Sequence, residues 1–145
     1  MTFDINNYEF GEKPKVTLPD PEFLNLLTEQ GIRKMVSDHY DLLRQSNVKG
    51  LFPPEEIEFE AAKLRSSDFF IQILGGKEYY NINRGHPMLT RRHSTFSITL
   101  SARQIWLECY ISVLSNLDIP ESLVSSFWNY LNIFSIWMVN TPDQS

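Results

Sequence analysis

The sequence lacks the features that mark secreted and membrane-spanning proteins. Its single cysteine, Cys109, excludes an intrachain disulfide and fits a reducing compartment. The opening residues MTFDINNYEF contain no basic region followed by an apolar run, so no secretion signal is expected. The longest apolar stretch, residues 133–139, is interrupted by Ser135 and is too short to span a bilayer. We therefore expect a soluble, cytoplasmic protein.

An excess of basic residues is also missing. The chain has 13 Lys and Arg residues against 18 Asp and Glu residues, which gives a formal net charge of −5. Nucleic acids and anionic membranes are bound by proteins that present a basic face. Neither of these is therefore expected as the partner of this chain.

Strand-type alternation and internal repeats are absent, whereas apolar residues recur at helical spacing along most of the chain. Two helical patterns, broken near Gly31, occupy residues 21–46. A third pattern begins at a proline corner and runs over residues 54–74, with acidic residues near its amino end. A short helix of about two turns is predicted over residues 87–93, because a proline can occupy its first turn.

The last third of the chain continues the helical periodicity. Ser101 and Gln104 have the spacing of a capping box, which predicts the start of a helix with a regular apolar stripe over residues 106–117. Pro120 begins a last helix that is apolar on most sides. These patterns together predict an all-α fold.

The chain is long enough for one domain whose core can enclose a ligand, since it has 145 residues of which 42% are hydrophobic. Residues 1–20 are polar and irregular, and their prolines prevent a continuous helix, so we interpret them as an extension that lies over the domain or is partly disordered. The predicted domain occupies residues 21–142, and residues 143–145 form a short tail.

The strongest indication of function lies in residues 75–106. A glycine pair and a polar loop at residues 79–83 precede the short predicted helix. On that helix Leu89, Arg92 and His93 have the i, i+3 and i+4 spacing that places side chains on one face. An imidazole that shares a face with an apolar side chain and a cation suits a flat, apolar and anionic ligand.

This stretch resembles the group II, or O-type, truncated haemoglobins in both residues and spacing. It has an Arg-Gly-His-Pro tetrapeptide at residues 84–87, then His93 six residues later and Trp106 thirteen residues beyond that. The likeness extends over about residues 26–142. It implies a 2-over-2 helical sandwich around one haem b, with His93 as the iron ligand.

The resemblance also implies roles for the other side chains around the haem. Tyr40 and Trp106 would donate hydrogen bonds to a diatomic ligand and are the candidate catalytic residues. Phe52 would stack on the porphyrin, while Arg92 and Tyr80 would pair with the haem propionates. The remaining expected cofactor-binding residues are Ala62, Ser66, Phe69 and Phe70.

Three residues depart from the family pattern. Phe52 stands where tyrosine or histidine is frequent, and Ser66 stands where glutamine or leucine is usual. His39 replaces a usual phenylalanine next to Tyr40 and points about 100° away from it on the helix. We interpret His39 as a partly buried polar residue on the back of its helix, with a role as a second iron ligand or proton relay as the alternative.

Other interpretations of the histidines are weaker. His93 taken alone could be a surface residue, and the motif around it is what favours iron. His86 and His93 lie seven residues apart without a cysteine or acidic partner nearby, so they fit no standard zinc site.

The function implied by the resemblance is binding of dioxygen and related diatomic molecules such as NO and CO, with high oxygen affinity. NO or peroxide chemistry is implied rather than bulk oxygen transport. With no reductase domain in the chain, turnover would need an external electron donor, and enzymatic activity is left open. The alternatives are a haem-based ligand sensor or interaction module, and a haem-free scaffold. The expected assembly is a monomer or a homodimer.

Overall fold

Helices account for the regular structure of this protein. The structure is a computed structural model that describes residues 1–143, so the predicted tail 143–145 lies outside the described residues except for its first residue. The all-α fold is confirmed, because residues 1–143 contain α-helices and short 3-10 segments but no strand. The α-helices are α1 (Glu22–Arg44), α2 (Glu56–Ile73), α3 (Tyr79–Arg84), α4 (Leu89–Arg92), α5 (Leu100–Leu114) and α6 (Glu121–Phe134).

The four long helices form the body of the molecule. Helix α1 packs against α2, α5 and α6, and α5 also packs against α6. Phe23 of α1 and Phe127 of α6 are fully buried, and their stacked ring centroids lie 4.5 Å apart. The segment Ser135–Met138 is a 3-10 continuation of α6 and contacts the short α4. None of the helices in residues 1–143 is long and apolar enough to cross a membrane.

Helix α1 consists of two helical pieces that meet at Thr28 rather than near Gly31, where the break was predicted. Thr28 has φ 69° and ψ 167°, a backbone conformation that interrupts the helix and is unfavourable for a β-branched residue. Its Oγ1 accepts a hydrogen bond from the backbone N–H of Gly31 at 3.3 Å. The threonine thus caps the second piece of the helix, which carries Tyr40.

The predicted end of α2 at the glycine pair is confirmed. Gly75 has φ 87°, a left-handed conformation that favours glycine just after a helix. A side chain at Gly76 would collide with Leu24 and Ile71, since an added Cβ would lie 2.7 Å and 2.8 Å from their carbon atoms. The two glycines therefore let α2 stop abruptly and let the chain turn toward the short helices.

Two predictions for the region that follows are wrong. The expected loop at residues 79–83 is the helix α3. The helix expected from Pro87 begins two residues later, at Leu89, because Met88 has φ 40° and cannot continue an α-helix from the proline. Helix α4 is consequently only four residues long and ends with His93 as its carboxyl-terminal cap.

The predicted capping box of α5 is also wrong. The capping side chain belongs to Thr99, whose Oγ1 accepts a hydrogen bond from the backbone N–H of Ala102 at 3.0 Å. Helix α5 begins at Leu100, so Ser101 already lies within the helix. The stripe of large side chains that was predicted along the helix nevertheless runs in register with the core, with Tyr110 fully buried.

Residues 1–20 form no helix and lie against the carboxyl-terminal half of the domain. Trp128 donates its indole N–H to the carbonyl oxygen of Asp4 at 3.1 Å, and Trp137 does the same to Pro14 at 2.7 Å. Phe3 packs its ring edge-on against Trp128. These contacts attach the extension to α6 and the segment after it, while the predicted domain boundary at residue 20 stays a prediction.

Candidate functional site

The structure has a cavity of about 370 Å³ that α1, α2, the short helices and α5 surround. Its size falls in the range of small-molecule sites, which is about 300–1,000 Å³. The cavity brings together every residue that the sequence predicted for the site. These are Tyr40, Phe52, Ala62, Ser66, Phe69, Phe70, Tyr80, Arg92, His93 and Trp106.

A second set of residues also lines the cavity, most of them apolar and contributed by segments around α4 and at the end of α6, and of these the sequence had indicated only Leu89, on the face it shares with His93. Arg103 and Trp106 are three residues apart on α5, so helical spacing could have indicated that both face the cavity. The others gave no comparable signal. The full second set is Leu51, Pro53, Arg65, Leu89, Phe96, Ile98, Arg103, Phe134, Ser135 and Met138.

His93 has one ring nitrogen fixed by its own helix. Its Nδ1 lies 2.7 Å from the carbonyl oxygen of Leu89. A carbonyl oxygen only accepts hydrogen bonds, so Nδ1 must carry the proton and donate it. In the neutral ring this leaves the lone pair on Nε2, the nitrogen that is free to bind a metal.

The backbone around α4 is held by side chains from two sides. Arg92 donates from Nε to the carbonyl oxygen of Pro87 at 2.7 Å, and from Nη2 to those of Arg84 and His86 at 2.8 Å and 3.2 Å. Asn140 donates to the carbonyl oxygens of His93 and Phe96 at 3.2 Å and 2.8 Å. Asn140 is a positioning residue for His93 that the sequence reasoning missed.

Arg92 and Arg84 differ in how their charges are balanced. Arg84 donates to Asp68 Oδ2 at 2.9 Å, and Arg33 pairs with the other oxygen of the same buried carboxylate at 3.0 Å. Within residues 1–143 Arg92 has no acidic partner, and its guanidinium carbon lies 5.5 Å from the centre of the Tyr80 ring. Of these two cations, Arg92 is the one whose charge remains available to an anion.

Tyr40 presents a neutral hydroxyl group to the cavity. Its ring packs edge-on against Phe52 and Phe59, with centroids 5.3 Å and 5.7 Å apart. Burial raises the pKa of the Tyr40 hydroxyl, while the nearby Ser66 hydroxyl and the charge of Arg65 act in the opposite direction. The hydroxyl therefore keeps its proton at neutral pH and can donate it to a ligand.

His39 lies deeper than predicted, because it is fully buried rather than partly buried. Its Nε2 lies 3.0 Å from the carbonyl oxygen of Trp106, and its ring stacks on Tyr110 with centroids 3.5 Å apart. Burial lowers the pKa of His39 to about 3, although the bond to the Trp106 carbonyl raises it, so the ring is neutral at pH 7. His39 thus links α1 to the backbone of Trp106 and is not among the side chains that line the cavity.

Comparison with known proteins places this architecture in a family. A model of the bacterial-like globin family matches residues 23–140. The chain belongs to the bacterial-like globin family. This globin is homologous to the group 2 truncated haemoglobins, as the resemblance in the sequence predicted.

Three relatives show how far the likeness extends. The group 2 truncated haemoglobin YjbI of Bacillus subtilis is 26% identical over 116 residues, which are 79% of this globin and 86% of the relative. The structure of phosphate-bound Hell's gate globin IV is 32% identical with a TM-score of 0.88, and the match covers 96% of this globin and 87% of that chain. The haemoglobin of Chloroflexus aurantiacus is 29% identical with a TM-score of 0.75, covering 81% and 98%.

Membership of the family implies a haem cofactor and binding of diatomic gases such as O2. The residues of this globin fit that group. In residues 1–143 no cluster of three or more His, Cys, Asp or Glu side chains could hold a metal ion by itself, whereas a single imidazole suits an iron whose remaining ligands come from a porphyrin. Aromatic walls suit the flat ring, and Arg92 suits its carboxylates.

The buried His39 should make the stability of this globin depend on pH. In the unfolded chain its pKa is about 6.5, whereas in the fold it is about 3. Between these values the unfolded state binds more protons, so the free energy of unfolding should fall as the pH decreases below about 6.5, by up to about 1.4 kcal/mol per pH unit. We expect His39→Phe, which keeps a flat ring beside Tyr110, to reduce this slope in urea unfolding between pH 4.5 and 7.

The exposed His86 provides the matched control, since His86→Gln should keep the pH dependence of the natural chain. A His39→Phe profile that runs parallel to that of the natural chain would show that the buried imidazole does not titrate on unfolding.

Proposed function

We propose that this globin holds haem b through Nε2 of His93 and binds dioxygen and related diatomic molecules, NO and CO among them, with high oxygen affinity. The observation that carries the proposal is the 2.7 Å bond from His93 Nδ1 to the Leu89 carbonyl oxygen. It leaves Nε2 available in the wall of the same cavity that Tyr40 and Trp106 line.

The remaining cavity residues would hold the cofactor in place. Phe52 would stack on the porphyrin, and Phe69, Phe70 and Ala62 would exclude water from its apolar face. Arg92 has no acidic partner within residues 1–143 and lies beside the Tyr80 ring, so these two side chains would receive the propionates. When bound, the haem supplies an iron that binds diatomic gases and exchanges electrons.

High oxygen affinity would come from two hydrogen-bond donors in an apolar pocket. The Tyr40 hydroxyl is protonated at neutral pH, and an indole N–H such as that of Trp106 can only donate. Each hydrogen bond to a ligand that accumulates negative charge contributes roughly 1.5–3 kcal/mol. Ser66 lines the same cavity as Tyr40, and its hydroxyl favours the ionised form of the Tyr40 hydroxyl, although less strongly than burial opposes it. Slow release of dioxygen is the expected consequence.

The reaction we propose is redox chemistry on these gases rather than bulk oxygen transport, in a cytoplasmic monomer or homodimer. Nitric oxide, dioxygen and one electron combine to give nitrate, and the electron would come from an external donor. Reaction with peroxide is the other chemistry of this class. Nitrate formation that requires NO, dioxygen and the reductant together would distinguish turnover from binding alone, and no nitrate above a haem-only control would leave binding as the function.

Haem capture should depend on His93 and not on the neighbouring His86. On titration with haemin, the natural chain and the control variant His86→Ala should each develop a Soret band with a one-to-one endpoint. His93→Ala should lose the band position of imidazole ligation and release haem at least about tenfold faster to an acceptor globin, since a metal bond and its orienting contact are lost. An unchanged spectrum and release rate for His93→Ala would contradict the proposal.

Removal of the hydrogen-bond donor of Tyr40 or of Trp106 should accelerate the release of dioxygen. We expect Tyr40→Phe and Trp106→Phe each to raise the dissociation rate about ten- to hundred-fold, measured by stopped-flow displacement of dioxygen with CO. Tyr130→Phe is the matched control, because Tyr130 stacks on Phe134 but does not itself line the cavity, and the substitution also removes a single hydroxyl. If all three variants released dioxygen as slowly as the natural chain does, Tyr40 and Trp106 would not stabilise the bound ligand.

A further inference from the structure

Arg103 is a charged side chain buried in the wall of the cavity. It lies on α5, three residues before Trp106, and only 5% of its surface is exposed. Both Arg103 and its hydrogen-bond partner Ser135 line the cavity that also contains His93. A guanidinium group stays protonated in proteins, so this wall carries a permanent positive charge.

All the atoms that accept hydrogen bonds from Arg103 are neutral oxygens. Nε donates to Ser135 Oγ at 2.9 Å, and Nη1 donates to the carbonyl oxygen of Asn6 at 3.0 Å. Nη2 donates to the carbonyl oxygen of Asn132 and, at 3.2 Å, to its Oδ1. Within residues 1–143 no Asp or Glu oxygen forms an ion pair with Arg103 inside 4.0 Å, in contrast to Arg84. The charge is hydrogen-bonded but has no counter-ion.

The N-terminal extension holds the guanidinium in this position. Asn132 Oδ1 accepts from the backbone N–H of Asn6 at 3.0 Å, and Asn132 Nδ2 donates to the carbonyl oxygen of Asp4 at 3.1 Å. The ring of Tyr8 also lies near the guanidinium, 5.7 Å from its central carbon. A group with this many partners cannot turn to another position without losing several hydrogen bonds, so its charge acts from a fixed point.

We propose that Arg103 is an electrostatic tuning residue that raises the reduction potential of the haem in this cavity. The proposal rests on haem binding as proposed above. Oxidation of ferrous to ferric iron adds one positive charge, and an uncompensated cation in a poorly polarisable wall opposes that change. Burial and nearby charge are among the means by which proteins set haem potentials. The effect favours the ferrous state, which is the state that binds dioxygen.

Three variants separate the charge of Arg103 from its structural contacts. Arg103→Met removes the charge and keeps an apolar stem, and Arg103→Lys keeps the charge with fewer hydrogen bonds. Asn132→Asp leaves Arg103 in place and supplies the missing counter-ion on a nearly isosteric side chain, whose ionised form the adjacent guanidinium favours. The carboxylate also loses the hydrogen bond that Asn132 Nδ2 donates to the Asp4 carbonyl oxygen, so Asn132→Leu, which loses that bond without adding a charge, is the matched neutral control.

Spectroelectrochemical titration of the haem-loaded proteins gives the midpoint potential of each variant. We expect the potential to shift to more negative values in Arg103→Met and in Asn132→Asp, and to remain close to the natural value in Arg103→Lys. The proposal would be overturned if Arg103→Met and Asn132→Asp both kept the midpoint potential of the natural chain. It would also be overturned if the potential of Arg103→Lys shifted as far as that of Arg103→Met. If Arg103→Met fails to fold, the sign of the shift in Asn132→Asp decides alone.

The Soret band separates this inference from the proposed function. If the natural chain takes up no haem, both proposals fail. If the variants bind haem as the natural chain does and their potentials are unchanged, only the tuning role of Arg103 fails. Faster haem loss in Arg103→Met with no change of potential in Asn132→Asp would also overturn it, because the guanidinium would then be a partner for the haem carboxylates.

Discussion

The hydrogen bond from His93 Nδ1 to the Leu89 carbonyl oxygen is the contact on which the candidate site depends. It fixes the tautomer of the only histidine that lines the cavity in the described residues, and with it the nitrogen that remains free. The bond spans one turn of α4, which ends at this histidine. Met88 starts the helix with a left-handed residue, and Arg92 and Asn140 hold the backbone on either side.

A second contact relates the two walls of the cavity. His39 of α1 is hydrogen-bonded to the backbone carbonyl oxygen of Trp106 on α5. Because His39 directly precedes Tyr40, this bond fixes the position of Tyr40 relative to that of Trp106. Because the imidazole is buried and neutral, this link is a hydrogen bond between uncharged groups. His39 therefore contributes to the geometry of the site and does not itself line the cavity.

The residues that sequence analysis located correctly are those with a strong local pattern. Gly75 marks the end of α2, because glycine adopts its backbone conformation without strain. The spacing from His93 to Trp106 corresponds to the end of α4, a short connecting loop and the first turns of α5. Helical spacing placed Tyr40, Ser66 and Phe69 on helix faces, and the resemblance to the group II truncated haemoglobins then assigned them to the site, where they line the cavity. In each case the information lies within a few helical turns.

The predictions that failed depend on contacts between distant parts of the chain or on single backbone angles. Thr28 and Met88 adopt positive φ values, which are uncommon for threonine and methionine and could not be predicted from the residue types. The sequence therefore predicted the break in α1 and the start of α4 at the wrong positions. Arg103 resembles an ordinary surface arginine in the sequence. It is buried because Asn6 and Asn132, 97 and 29 residues away, supply its acceptors. Its helical spacing from Trp106 could have indicated that Arg103 faces the cavity, but no local pattern shows that acceptors from distant parts of the chain bury its charge.

A crystal structure of the protein loaded with haemin would show which side chain binds the iron. We expect continuous density between iron and Nε2 of His93, with Nδ1 still bonded to the Leu89 carbonyl oxygen and with the haem in the cavity that Tyr40 and Trp106 line. Iron bound by a different side chain, or haemin bound outside this cavity, would contradict this expectation.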